Sequence, residues 1–133
     1  GKRILVVDPE IQIVRDAHHQ LERFGCIVES AHNGDEAVGM FRNSGDGTYD
    51  VVLSAISLPD YSGYQLMLRL QKYINPVPLA LMTGFGWDAG HTIVKAREAG
   101  LPAKALLYKP FKLNQILNVV ETVLDHYKKA VSA

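Results

Sequence analysis

Four short apolar runs punctuate the chain: RILVVD at 3–8, DVVLSA at 50–55, PLALMT at 78–83 and KALLY at 104–108. A fifth, CIVESA at 26–31, alternates more between apolar and polar positions. Runs this short and continuous predict strands covered on both faces, as in a parallel sheet, and the alternating run predicts an edge strand.

Between the runs, apolar residues recur at helical spacing. Over 10–24 the stripe is Ile11, Val14, Ala17, Leu21 and Phe24, and Gly25 stops it. Over 33–43, Ala37, Met40 and Phe41 follow NGDE, which puts acids in a first turn, where the helix dipole favours them. Over 62–74, Ser62 is a cap for a stripe of Leu66, Met67, Leu70 and Tyr73. Over 88–99, Asp88 is the cap of a helix that ends at Gly100. Over 112–128, Leu113, Ile116, Leu117, Val120, Val123, Leu124 and Tyr127 form the strongest amphipathic stripe in the chain. Strand and helix thus alternate five times. Right-handed crossovers turn that order into a doubly wound α/β sheet with helices on both faces. The final KKAVSA reads as a fraying tail, so one domain over 1–133 is expected, with its core at about 2–128.

Composition narrows the function classes. A chain of 133 residues builds a core without disulfides or metals, and Cys26, the lone cysteine, has no internal partner. Cys26 is expected as a buried free thiol in a reducing compartment. Fourteen Lys and Arg balance fourteen Asp and Glu, so no net field recruits nucleic acid or an anionic membrane. No apolar run approaches the ~18 residues of a membrane span, and no signal peptide is evident. The opening GKRILVVD, without Met, leads us to expect a segment of a longer cytoplasmic polypeptide. The five histidines are scattered. His18 and His19 diverge by about 100° on their helix, so no metal spacing or phosphotransfer role is read for them or for His32, His91 and His126.

A parallel sheet of this kind places its site beyond the carboxyl ends of its strands. There the chain offers Asp8, Pro9 and Glu10 after the first strand, and Ala55, Ile56 and Ser57 after the third. Thr83 and Gly84 follow the fourth, and Lys109, Pro110 and Phe111 follow the fifth. An acid, a hydroxyl and an ammonium therefore converge on one rim, with an inert methyl at its centre.

The fragments ILVVD at 4–8, YDVVL then LPDYSG at 49–63, LMTG at 81–84 and YKPF at 108–111 resemble the receiver domain of two-component response regulators, over about 2–128. The resemblance implies a flavodoxin-like fold with strand order 2-1-3-4-5. It also implies a site in which paired acids hold Mg²⁺ and an Asp ending the third strand takes a phosphoryl group from a histidine kinase. A hydroxyl and a Lys bind the phosphoryl oxygens. By position, Asp8 matches the first acid, Thr83 the hydroxyl and Lys109 the ammonium, and Lys109-Pro110 matches a peptide that is often cis in the family.

Three positions depart from that pattern. Pro9 stands for the second acid, Ala55 for the phosphoacceptor, and Leu106 for the aromatic that rotates on activation. Tyr108, two residues later, is expected off that residue's face of the strand and at another depth, a poor substitute. A methyl group cannot attack phosphorus. Ser54 should point to the opposite side, and Asp60 reads as a turn residue, so neither replaces the acceptor. With the acidic set reduced, Asp8 should pair directly with Lys109, Glu10 serving the start of its helix, with rim charge near zero. No cofactor is expected, and Mg²⁺ binds weakly or not at all.

The resulting expectation is a pseudo-receiver, not an enzyme, acting as a phosphorylation-independent interaction module of a hybrid histidine kinase or response regulator. Its partner would be a kinase, another receiver or domains of its own chain, with no nucleic acid and no membrane. The surface expected to serve is Phe85, Trp87, His91, Tyr108 and Phe111, near the family's docking face. Phe85 and Trp87 either form a binding loop or simply cover the pocket. Two alternatives stay open. One is a conventional phosphoacceptor, using another residue or carrying introduced changes at Pro9 and Ala55. The other is a small-molecule sensor using the vacated rim, although DPEIQ after the first strand offers no Gly-rich phosphate loop.

Overall fold

The computed structural model describes residues 1–44, 49–84 and 91–132, with side chains described as far as Tyr127. Strands β1 (Arg3–Val7), β2 (Ile27–Ala31), β3 (Val51–Ala55), β4 (Leu79–Thr83) and β5 (Leu106–Tyr108) alternate with helices. The helices are α1 (Ile11–Glu22), α2 (Gly34–Ser44), α3 (Gly63–Leu70), α4 (Thr92–Glu98) and α5 (Leu113–Ser132). The five strands are parallel in the order β2-β1-β3-β4-β5, the flavodoxin-like order that the resemblance implied.

Packing explains the apolar runs. Every residue of β3 and β4 is buried, because α1 and α5 pack together on one side of the sheet while α2, α3 and α4 adjoin in series. The edge strand β2 buries only Ala31 fully, and Ile27 is exposed, which accounts for its mixed sequence. Arg3 ties that edge down: its guanidinium meets Glu29 at 3.2 Å and lies over the Tyr49 ring, whose hydroxyl also donates to Glu29.

Several stripe assignments shift. The buried face of α1 is Ile13, Val14, Ala17 and Leu21, while Ile11 and Phe24 are exposed. Ile11 sits two positions before Ile13, about 200° around the helix, and Phe24 lies past the helix end. Tyr73 likewise follows the end of α3 and is exposed. Helix α5 runs on to Ser132, so the tail expected to fray is helical. Asp88 falls outside the described residues together with Phe85 and Trp87; α4 begins at Thr92 behind His91, whose backbone is left-handed (φ 54°) and whose side chain makes no cap. Gly25 and Gly100 do end their helices, with φ of 80° and 111° that favour glycine. Cys26 is half-buried rather than buried, and burial pushes its thiol pKa up. Leu106 and Tyr108 are two apart and so share a face of β5, with Leu107 buried on the other. The expectation that Tyr108 leaves that face fails on strand parity.

The connection from β3 to α3 is closely packed. Ile56 N–H donates to Met82 carbonyl at 3.0 Å, and Gly63 N–H returns to Ile56 carbonyl at 3.0 Å. Ser62 then opens α3 with a full capping box: its Oγ accepts from Gln65 N–H, and the Gln65 side chain accepts from Ser62 N–H. This return brings Gly63 so close that a Cβ there would stand 2.5 Å from Ala55 carbonyl oxygen and 2.8 Å from Leu81. Gly63→Ala should therefore lower the unfolding free energy by about 1–3 kcal/mol, the usual range for overpacking, as measured by urea denaturation.

Candidate functional site at the strand ends

Asp8 follows β1 and is fully buried. Its N–H donates to Ala31 carbonyl at 3.1 Å, and its Oδ1 accepts from Glu10 N–H at 2.9 Å, which orients the carboxylate along the rim. The other oxygen, Oδ2, stands 2.7 Å from Lys109 Nζ. That approach lies off the hydrogen-bond axis, so the contact is one of charge. Lys109 is itself anchored: its N–H donates to Thr83 carbonyl at 2.8 Å, its peptide to Pro110 is cis, and its side chain is only 13% exposed. The direct pair expected from the sequence is present.

Glu10 changes the expected charge. Its side chain does not cap α1; Oε1 instead reaches within 3.6 Å of Lys109 Nζ. Two carboxylates therefore face one ammonium, and the rim is not neutral.

At the centre of the rim, β1 and β3 pair Val7 with Ser54, so the next residues along the strands, Asp8 and Ala55, stand side by side. Ala55 is buried and carries no oxygen on its side chain. Ser54 Oγ is buried and donates to Ala55 carbonyl at 2.9 Å. Thr83 is buried, and its Oγ1 donates to Gly84 carbonyl at 3.1 Å. Leu106 is half-buried on β5.

Asp60 has an engagement that the sequence did not reveal. Its two oxygens accept from Gly34 N–H at 2.9 Å and Asp35 N–H at 2.8 Å, so it caps α2 from a loop distant in sequence. Tyr61 covers the same junction: its hydroxyl donates to Asp35, and the Arg69 guanidinium lies 4.1 Å from its ring centre. Burial raises the Asp60 pKa, but the backbone donors of Gly34, Asp35 and Tyr61 outweigh it and hold the carboxyl below its ordinary value. Burial and the Asp35 carboxylate push the Tyr61 phenol up.

The donor set does not fit a hexacoordinate Mg²⁺ ion. Asp8 already faces an ammonium, Glu10 is mostly exposed, and Pro9 and Ala55 contribute no side-chain oxygen. Among the described residues no group of three His, Cys, Asp or Glu is placed to hold a metal ion. His18 and His32 each face a glutamate one turn on, Glu22 at 3.0 Å and Glu36 at 3.7 Å.

Of the residues expected on the partner surface, His91 and Tyr108 are exposed and Phe85 and Trp87 lie outside the described residues. Phe111 is buried in the core, because the chain turns inward after Lys109, and it is not surface.

Parallel sheet, strand order and rim together define a receiver domain of two-component signalling. A family model for the response regulator receiver domain matches residues 4–121, and the chain belongs to that family. It is 30% identical over 123 residues to the uncharacterized transcriptional regulatory protein YkoG of Bacillus subtilis (strain 168), covering 91% of this chain and 50% of that protein. It is 28% identical to the sensor kinase CckA of Brucella abortus (strain 2308), covering 92% of this chain and 12% of the kinase. A response regulator receiver domain protein from Clostridium thermocellum superposes with a TM-score of 0.81 at 23% identity, over 98% of this chain and 99% of that one; at that identity it shows the fold alone. The chain spans about half the length of the first curated relatives it matches. Among the described residues no helix is long and apolar enough to cross a membrane.

Two outcomes follow for the rim and its neighbour. Lys109→Met leaves a fully buried carboxylate without its close cation and should cost about 3 kcal/mol by urea unfolding. Because Asp60 is held low in the folded state, its contribution is present above the ordinary carboxylate range and is lost as pH falls through the lowered value. Asp60→Ala should therefore be less stable than wild type at neutral pH, and the gap should close in acid.

Proposed function

We propose that this receiver domain acts as a phosphorylation-independent interaction module of two-component signalling, in the cytoplasm, by binding rather than by catalysis. One observation carries the reading: the end of β3, beside Asp8, presents the methyl group of Ala55 where the family's chemistry needs a nucleophilic oxygen. The neighbours do not replace it. Ser54 Oγ is buried against a carbonyl, and both Asp60 oxygens are occupied in capping α2. These engagements weigh against a conventional phosphoacceptor that uses another residue.

The lost switch points the same way. Thr83 bonds Gly84 locally and Leu106 has no ring to rotate, so a phosphoryl group would find neither mover nor reporter. The vacated rim is also a poor small-molecule site, since the Lys109 side chain lies across it against Asp8. What remains is surface. Val94 on α4 and Tyr108 on β5 are both exposed. At Tyr108, a groove of about 320 Å³ runs between β5 and α5, lined by Lys104, Leu106, Tyr108, Gln115, Val119 and Thr122. A histidine kinase, another receiver or further domains of a longer parent protein would dock here, and the likeness to a sensor kinase supports a place within a hybrid kinase.

The test is incubation with acetyl phosphate and Mg²⁺, followed by intact-mass measurement. The expected result is no added mass, together with binding of the partner kinase or receiver that is the same with and without the donor. A gain of one phosphoryl group overturns the reading.

A further inference from the structure

We infer that the Lys109 ammonium is the resident cation of this rim, supplying from within the chain the positive charge for which the resemblance invokes a divalent ion. The inference rests on the proposed reading that the rim is no longer a phosphorylation site.

The argument starts from burial. A carboxylate with no exposure, such as that of Asp8, is costly to bury without a counter-charge and hydrogen-bond donors facing it. Its Oδ1 has the Glu10 N–H, and its Oδ2 has the ammonium at 2.7 Å. Glu10 Oε1, at 3.6 Å, converges on the same nitrogen from the start of α1. The ammonium is thus the point on which both acids close.

Topology shows what this takes. Lys109 leaves β5 and Asp8 leaves β1, and the sheet places β3 and β4 between those strands. The contact therefore passes over the ends of both, and its feet are fixed: Lys109 N–H is bonded to β4 at Thr83, and Asp8 N–H to β2 at Ala31. The small side chain of Ala55 lies beside Asp8 along this route. A carboxylate at position 55 would compete for the ammonium, and one at position 9 would add negative charge beside it. Ala55 and Pro9 thus add no further acid to compete with Asp8 for Lys109, and the substitutions and the ion pair form a single arrangement. A divalent ion must displace Lys109 before it can reach either carboxylate. Deleting the ammonium leaves two acids with no cation between them, which is the beginning of a metal site.

The test is titration with Mn²⁺ followed by paramagnetic broadening of backbone amide resonances. For wild type the expected result is no saturable broadening at millimolar Mn²⁺, and a Lys109 ammonium resonance whose protons exchange more slowly than those of surface lysines. Lys109→Met is expected to gain saturable broadening confined to the amides of Asp8, Glu10 and Ile56, with affinity at least about tenfold tighter than wild type. Its melting temperature should rise with added Mn²⁺ when that of wild type does not. Broadening at Asp8 in wild type as strong as in the variant, or no gain in the variant, overturns the inference. Should Lys109→Met fail to fold, wild type and Glu10→Gln decide. A Lys109 ammonium exchanging like a surface lysine, or unmoved by Glu10→Gln, overturns it; slow exchange with a shifted resonance supports it. None of these readouts involves phosphoryl transfer. A mass gain with acetyl phosphate would sink the proposed function while these readouts still judge the ion pair, and the reverse also holds.

Discussion

The contact between Asp8 and Lys109 joins the segments that follow β1 and β5, across the ends of β3 and β4. Asp8 has no exposure, and the energy of a buried charge is set almost wholly by what faces it. One ammonium at 2.7 Å is therefore a condition on the whole strand-end edge. Two residues beyond Lys109, Phe111 is part of the core. Glu10, largely exposed, approaches the same ammonium at 3.6 Å. The parallel sheet makes this contact available by bringing the carboxyl ends of all five strands to one edge, and the methyl of Ala55 leaves the route across that edge open.

A second constraint lies beside it, in the return from β3 to α3. Gly63 packs against Ala55 carbonyl at a distance that admits no Cβ, Ser62 and Gln65 cap one helix reciprocally, and Asp60 caps another. Tyr61, its hydroxyl on Asp35 and its ring under Arg69, covers the junction of α2 and the loop. Three oxygen-bearing side chains of these segments are engaged in structure: Ser54 with a carbonyl, Thr83 with a carbonyl, Asp60 with two helix amides.

The strands were legible because β1, β3 and β4 are covered on both faces, and continuous runs such as VVLSA have no other comfortable setting. Helix ends were legible at Gly25 and Gly100, where backbone geometry demands glycine, and at Ser62, whose capping role is local. Face assignments were less secure. Ile11 and Ile13 are both apolar and only the partner surface chooses between them, and Phe24 and Tyr73 extend a periodicity past the point where the helix stops. Asp8, Ala55, Thr83 and Lys109 could be placed on one rim because position in a βα unit dictates location. The roles of Asp60 and Glu10 could not be read: Asp60 bonds amides some 25 residues away, and Glu10 abandons the cap that its position advertises.

By itself the sequence determined the parallel sheet, its family and which residue ends each strand, since these depend on local periodicity and on position within each βα unit. The tertiary structure alone decided which charges meet. A carboxylate's partner is set by distances of a few ångströms between segments a hundred residues apart, such as Asp8 and Lys109. Coulomb energy in a buried site varies too steeply over such distances for composition to foretell it.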